Sequence, residues 1–154
     1  MQLNAYLNFK GQTEEAFRFY ERTLGATIEF ALLEDGTSPD LSTKAPWGKT
    51  VLHGRINIGG HMVMASDCPP DRYATPQGFS LNLGFKEPAE AERVFAALSQ
   101  GGQVQMPIQE TFWAQRFGVA SDRFGTPWMV NCEKARMEVE NMYPCKTTTE
   151  AVAV

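Results

Sequence analysis

The chain has 154 residues, 43% hydrophobic and 21% charged, the composition of an ordinary globular protein of one domain or two small modules. Fourteen Lys and Arg stand against 18 Asp and Glu, so the net charge of -4 offers no electrostatic footprint for nucleic acid or an anionic membrane. No apolar run approaches the ~20 residues that span a bilayer, and a chain of this length folds without a disulfide or metal.

In chain order, the first element predicted is a strand. Leu3, Ala5, Leu7 and Phe9 are apolar and alternate with Asn4, Tyr6 and Asn8. A helix follows, with Thr13 as cap, Glu14 and Glu15 in its first turn, Ala16, Phe17, Tyr20 and Leu24 on one stripe, and Gly25 as its stop. Strands are expected at 27–33, 50–58 and 61–65, with Gly59-Gly60 as a two-residue hairpin turn. Residues 34–49 read as a long loop in which Trp47 serves as an anchor, and 67–78, with three prolines, as a linker. A second strand then alternates Phe79, Leu81, Leu83 and Phe85 with Ser80 and Asn82. Its helix has Pro88 in the first turn, Ala91, Val94, Phe95 and Leu98 on one face, and Gly101 past its end. Strands at 103–109, 116–121 and 127–132 complete the pattern, with Phe124-Gly125-Thr126 joining the last two. The tail from about residue 137 has weak periodicity and is expected to be mobile or used in subunit contact.

The order is therefore βαβββ, twice. At an offset of 76 residues Leu7, Phe9, Lys10, Phe19 and Gly25 find their matches in Leu83, Phe85, Lys86, Phe95 and Gly101. The expected organisation is a first module at 1–66, a linker at 67–78, a second module at 79–134 and a tail at 135–154.

The polar strand faces are unusual for faces that meet only water. On the strand at 50–58, Leu52, Ile56 and Ile58 pack under a helix, and His53, Arg55 and Asn57 form the other face. Asn, Ser, Tyr and His suit a wet cavity with directional hydrogen bonds. His53 reads as a hydrogen-bond partner or ligand anchor in preference to a general base, because no carboxylate on its face orients the ring. The run from Thr111 to Gly118 contains Phe112, Trp113, Arg116 and Phe117, and Trp128 follows. These residue types line small-molecule pockets, although Trp113 and Trp128 equally suit a core or an interface. Asp122 more naturally braces a turn, and Arg116 either pairs with it or holds an anionic ligand. Cys68, Cys132 and Cys145 form no CxxC pair. They read as reduced thiols of a cytoplasmic protein, an expectation shared by an N-terminus with no basic and apolar leader.

The two βαβββ copies, the Gly59-Gly60 hairpin after the strand bearing His53, the Phe112-Trp113-Ala114-Gln115-Arg116-Phe117-Gly118 run and the Asp122-Arg123-Phe124-Gly125-Thr126-Pro127-Trp128 run together resemble the PhnB-like branch of the glyoxalase/bleomycin-resistance/dioxygenase superfamily, also called the vicinal oxygen chelate fold. The resemblance covers about residues 1 to 134. It implies an α+β fold of two βαβββ modules whose mixed sheets curl into a cup with helices outside, and a homodimer. It also implies a metal or small molecule in the cup. Metal-using members carry His, Glu or Gln on the first and last strands of each module. The corresponding positions here fall near Asn4, Ser80, Met64 and Met129, a poor donor set for a divalent ion. Some members carry a demethylubiquinone methyltransferase label. Gly59-Gly60 and Gly101-Gly102 lie in the wrong context for a nucleoside-cofactor turn.

The expected function is metal-independent binding of a small molecule, with no cofactor. Tyr6, Trp113 and Trp128 would wall the cup, and His53, Asn82 and Arg116 would supply polar contacts. Two alternatives remain open: a metal-dependent or His-based lyase, isomerase or dioxygenase-type enzyme of the same superfamily, and a regulatory subunit with a vestigial cup. Catalytic residues, if any, are not identified by the sequence.

Overall fold

The computed structural model describes residues 1–43 and 46–135. The expected tail thus lies almost wholly outside the described residues. Among the described residues, eight strands and two helices follow in the order β1 (Ala5–Phe9), α1 (Thr13–Leu24), β2 (Thr27–Leu33), β3 (Val51–Ile58), β4 (His61–Asp67), β5 (Leu81–Gly84), α2 (Pro88–Ser99), β6 (Gln103–Gln109), β7 (Ala114–Ser121) and β8 (Pro127–Glu133). They form two four-stranded mixed sheets of the same topology, β1-β4-β3-β2 and β5-β8-β7-β6. In each, the first strand pairs parallel to the last, and the other pairs are antiparallel. The architecture is α+β, with two βαβββ modules.

Each sheet buries one face under its helix. In the first module Leu7, Phe9, Ile28, Ala31, Ile56, Val63 and Ala65 pack against Ala16, Phe17 and Tyr20 of α1. In the second, Ala120, Trp128, Val130 and Cys132 pack against Ala91, Val94, Phe95 and Leu98 of α2. A glycine on the third strand of each module permits the close approach. A Cβ added to Gly54 would stand 2.8 Å from Phe17 Cε2, and one added to Gly118 would stand 2.6 Å from Phe95 Cε2. The repeat expected from sequence is therefore a repeat of packing as well as of order.

The turns follow their chemistry. Gly59 and Gly60 have φ of 58° and 89°, as a type I′ hairpin requires, and Asn57 Oδ1 accepts the Gly60 N–H at 2.9 Å. Gly25 ends α1 in the left-handed region at φ 65°. Three local expectations need correction. Thr13 is the first residue of α1 and not its cap: Gln12 precedes it with no side-chain cap, and Asp67 at the end of β4 accepts both the Thr13 N–H and its hydroxyl. Leu52 is exposed and Val51 buried, because the β2–β3 register shifts between Leu32 and Leu33 and inverts the alternation at the start of β3. Phe79 is exposed and precedes β5.

The modules are joined through buried polar chemistry as well as apolar contact. Tyr20 of α1 donates to Asp122 Oδ2 at 2.7 Å and shares a 2.9 Å hydrogen bond with Thr126 Oγ1, both in the β7–β8 hairpin. Phe124 sits among Phe9, Phe19 and Tyr20.

Candidate functional site

The sheet faces turned away from the helices carry the candidate site. In the first module, Tyr6 lies opposite Met64, Met64 opposite Arg55, and Arg55 opposite Phe30, forming one row across four strands. Opposed residues on paired strands point to the same face, so these four side chains share the open surface. His53, two residues before Arg55 on β3, joins them. Tyr6 Oη lies 3.2 Å from His53 Nδ1, and the two rings stack with centroids 5.8 Å apart. Phe30 flanks His53 at 6.1 Å, and the Arg55 guanidinium lies over the Phe30 ring at 5.1 Å. The structure thus unites Tyr6 and His53, as the sequence expected of a shared polar face, and adds Arg55 and Phe30.

The second module repeats the row with different chemistry: Asn82, Met129, Val119 and Met106 lie opposite one another in turn. Asn82 is exposed on β5 and lines cavities at the junction with the first module, where Ile58 and His61 form the opposite wall. The next row contains Asn131 and Phe117. Trp113 packs edge-on against Phe117 at 5.4 Å and Phe112 at 4.6 Å, an aromatic cluster at the start of β7. Asn131 Nδ2 donates to Glu133, while its Oδ1 is buried without a hydrogen-bond partner.

Of the expected site residues, the polar contact Arg116 and the wall residue Trp128 are not on this open face, although Trp128 backs one cavity lined by Asn82 and His61. Arg116 lies opposite buried Cys132 and forms an ion pair with Glu92 of α2, which places it on the helix side of the sheet. Its parity on β7 is that of Gly118, whose added Cβ would meet Phe95 of α2, and of buried Ala120, so strand alternation itself turns it to the helix. Glu92 also raises the Arg116 pKa, so the guanidinium is held charged in that pair. Trp128 is 1% exposed in the core beside Tyr20, and its indole N–H is taken by Asp122 Oδ2 at 2.8 Å. Its parity on β8 is that of Val130 and Cys132, the helix-facing set. Trp47 is likewise buried, its backbone N–H held by both oxygens of Glu14. Burial pushes the Cys132 thiol pKa up, which disfavours the nucleophilic thiolate.

Arg55, Phe30, Phe117 and Asn131 were not singled out as ligand contacts in the sequence. Alternation already placed Arg55 beside His53, and the aromatic run already contained Phe117. Nothing local distinguished Asn131.

The donor set does not fit a divalent metal. Asn4, Met62 and Met64 line one cavity with Arg55 and His61, and Met129 lies opposite Asn82. Among the described residues no three His, Cys, Asp or Glu side chains are arranged so that they could hold a metal ion. Thioethers and amides are poor ligands for Zn, Fe or Mn, and a guanidinium in the same cavity opposes any cation.

Comparison with known proteins gives consistent matches. Residues 2–130 match the model of the family described as Glyoxalase/Bleomycin resistance protein/Dioxygenase superfamily. Protein YjdN of Escherichia coli (strain K12) is 36% identical over 143 residues, spanning 87% of this chain and 97% of that protein. The crystal structure of protein PA1353 from Pseudomonas aeruginosa is 46% identical, with a TM-score of 0.74 over 88% of this chain and 99% of that one. A PhnB protein from Bacillus cereus, named for a 3-demethylubiquinone-9 3-methyltransferase, is 24% identical with a TM-score of 0.72, covering 86% of this chain and 99% of its own. That last likeness is one of fold.

Proposed function

We propose that this chain, which belongs to the Glyoxalase/Bleomycin resistance protein/Dioxygenase superfamily, is a metal-independent small-molecule binding protein, cytoplasmic and homodimeric. The observation that carries the reading is the hydrogen-bonded, stacked Tyr6–His53 pair on an open sheet face that gathers no metal-ligating cluster among the described residues. Tyr6 and Trp113 supply flat walls, and His53 and Asn82 supply directional polar contacts. The methionines Met64 and Met129, at equivalent places in the two rows, give both faces a soft, adaptable floor. The partner of the His53 ring is a phenol and not a carboxylate, which favours binding over general-base catalysis.

The test is tryptophan fluorescence against a metabolite library, with Trp113→Ala and His53→Ala as controls. Binders weakened by either substitution support the reading. If every binder is indifferent to both, the site is elsewhere. Stoichiometric Zn, Ni, Mn or Fe in protein purified without chelators, lost on His53→Ala, would establish the metal-dependent enzyme instead.

A further inference from the structure

We infer that Arg55 makes this site selective for a monoanionic ligand with an apolar body, such as an aromatic carboxylate or sulfonate. The inference rests on the small-molecule reading above and supplies the ligand's charge.

Four observations converge on it. First, Arg55 lines a cavity of about 430 Å³ with Gln2, Asn4, His61, Met62 and Met64, and no carboxylate is among the lining residues. Second, the guanidinium is uncommitted. Among the described residues, no carboxylate oxygen comes within the 4.0 Å that defines an ion pair with it. Glu29 on the adjoining strand is hydrogen-bonded to Asn57. This contrasts with Arg18, Arg93, Arg116 and Arg123, each held by a glutamate. Third, the Phe30 ring lies against Arg55 at 5.1 Å. That contact positions the guanidinium without an acceptor for its N–H groups, which form the fork that grips an oxyanion with two hydrogen bonds. Fourth, the second module has no equivalent cation. In the matching row Val119 stands where Arg55 stands in the first, so the charge is particular to one half of the repeat.

The chain as a whole carries a net charge of -4 and repels anions at long range. Anion binding therefore needs a local cation free of carboxylates, the condition that Arg55 meets. Arg55 is the one arginine or lysine among the lining residues, so it matches one negative charge. Met62 and Met64 of the lining offer apolar contact for the rest of the ligand, and Phe30 and the Tyr6–His53 pair adjoin Arg55 and Met64 on the same sheet face.

The experiment uses two probes with the same aromatic body. One is 8-anilino-1-naphthalenesulfonate, a monoanion; the other is N-phenyl-1-naphthylamine, which lacks the sulfonate. Both are titrated by fluorescence into the full chain at low salt. The sulfonated probe is expected to bind roughly tenfold more tightly, the scale of one charge-assisted contact. Arg55→Met and Arg55→Gln should bring the two affinities to within about twofold, Arg55→Lys should keep part of the difference, and added salt should shrink it. Near-ultraviolet circular dichroism verifies that each variant is folded. Arg22→Gln, at a cation outside this cavity, should leave the ratio unchanged. Equal affinities in the unmodified chain, or a preference that survives both Arg55→Met and Arg55→Gln, overturns the assignment. Failure of the underlying reading looks different: the neutral probe then binds regardless of Trp113→Ala and His53→Ala, or does not bind at all.

Discussion

Asp122 Oδ2 accepts the hydroxyl of Tyr20 at 2.7 Å, across 102 residues of sequence and from one module to the other. The same carboxylate accepts the Trp128 indole N–H and the backbone N–H groups of Phe124 and Thr126. One buried acidic side chain thus closes the β7–β8 hairpin, fixes the core tryptophan and docks α1 onto the second module.

Replacing Asp122 with Ala should strand four donors in a dry site. The expected loss of folding stability is about 3 kcal/mol or more. Tyr20→Phe removes one donor while Asp122 keeps three, so about 1–2 kcal/mol is expected. Urea unfolding of the two variants checks the order. Equal losses would mean that the hydroxyl, and not the carboxylate, organises the junction.

Burial raises the Asp122 pKa above the ordinary carboxylate value, and its four hydrogen bonds oppose that shift only in part. Burial, and then the Asp122 charge, also raise the Tyr20 pKa, so the phenol stays protonated as a donor. A carboxyl whose pKa is higher in the folded than in the unfolded state binds its proton more tightly when folded. Its contribution to stability is therefore fully present below the unfolded value of about 3.9 and is lost as pH rises through the folded one. The stability of the unmodified protein relative to Asp122→Asn should fall as pH is raised from about 3.5 through that window. A flat difference would mean that the pKa is the same in both states.

The two helix-facing glycines should differ in tolerance. A Cβ at Gly54 is crowded by the Phe17 ring and meets Val51 Cγ1 at an ordinary 3.6 Å, whereas one at Gly118 meets the Phe95 ring and also stands 3.0 Å from the Ile108 Cα on the neighbouring strand. A ring can tilt; a paired strand cannot easily move. Gly118→Ala should cost about 2–3 kcal/mol and Gly54→Ala about 1 kcal/mol less. Thermal unfolding of both variants measures the gap, and the reverse order would show that Phe17 is the more rigidly held ring.

Asp67 caps α1 from another strand. Its Oδ1 takes the Thr13 N–H at 2.9 Å and the Thr13 hydroxyl at 2.7 Å, and its Oδ2 takes the Val51 N–H at 2.8 Å. Asp67→Ala should cost about 1–2 kcal/mol, with hydrogen exchange accelerating in the first turn of α1 and at the start of β3 together. Acceleration at one of these places alone would show that the two contacts are independent.

Arg116→Gln should leave ligand affinity unchanged, because the side chain belongs to the helix side and its partner is Glu92. The pair is half exposed, so the stability cost should be under about 1 kcal/mol. A large loss of binding would place Arg116 back at the site.

The sequence by itself determined the two βαβββ modules. Period-2 alternation, helical stripes, Gly25 and the Gly59-Gly60 turn are local signals, and each arises from backbone geometry within a few residues. It also placed Tyr6 and His53 on polar faces, since alternation reaches as far as a strand does. Only the tertiary structure decided which arginine is available. Arg116 shares the helix-facing parity of Gly118 and Ala120, and Glu92 of α2 meets it there; among the described residues no carboxylate pairs with Arg55, and the residues opposite it are Met64 and Phe30. Trp128 is a core residue for the same kind of reason, since its partners Tyr20 and Asp122 come from elsewhere in the chain. A side chain's partners across strands and between modules depend on register, and one bulge reverses the face that local alternation assigns.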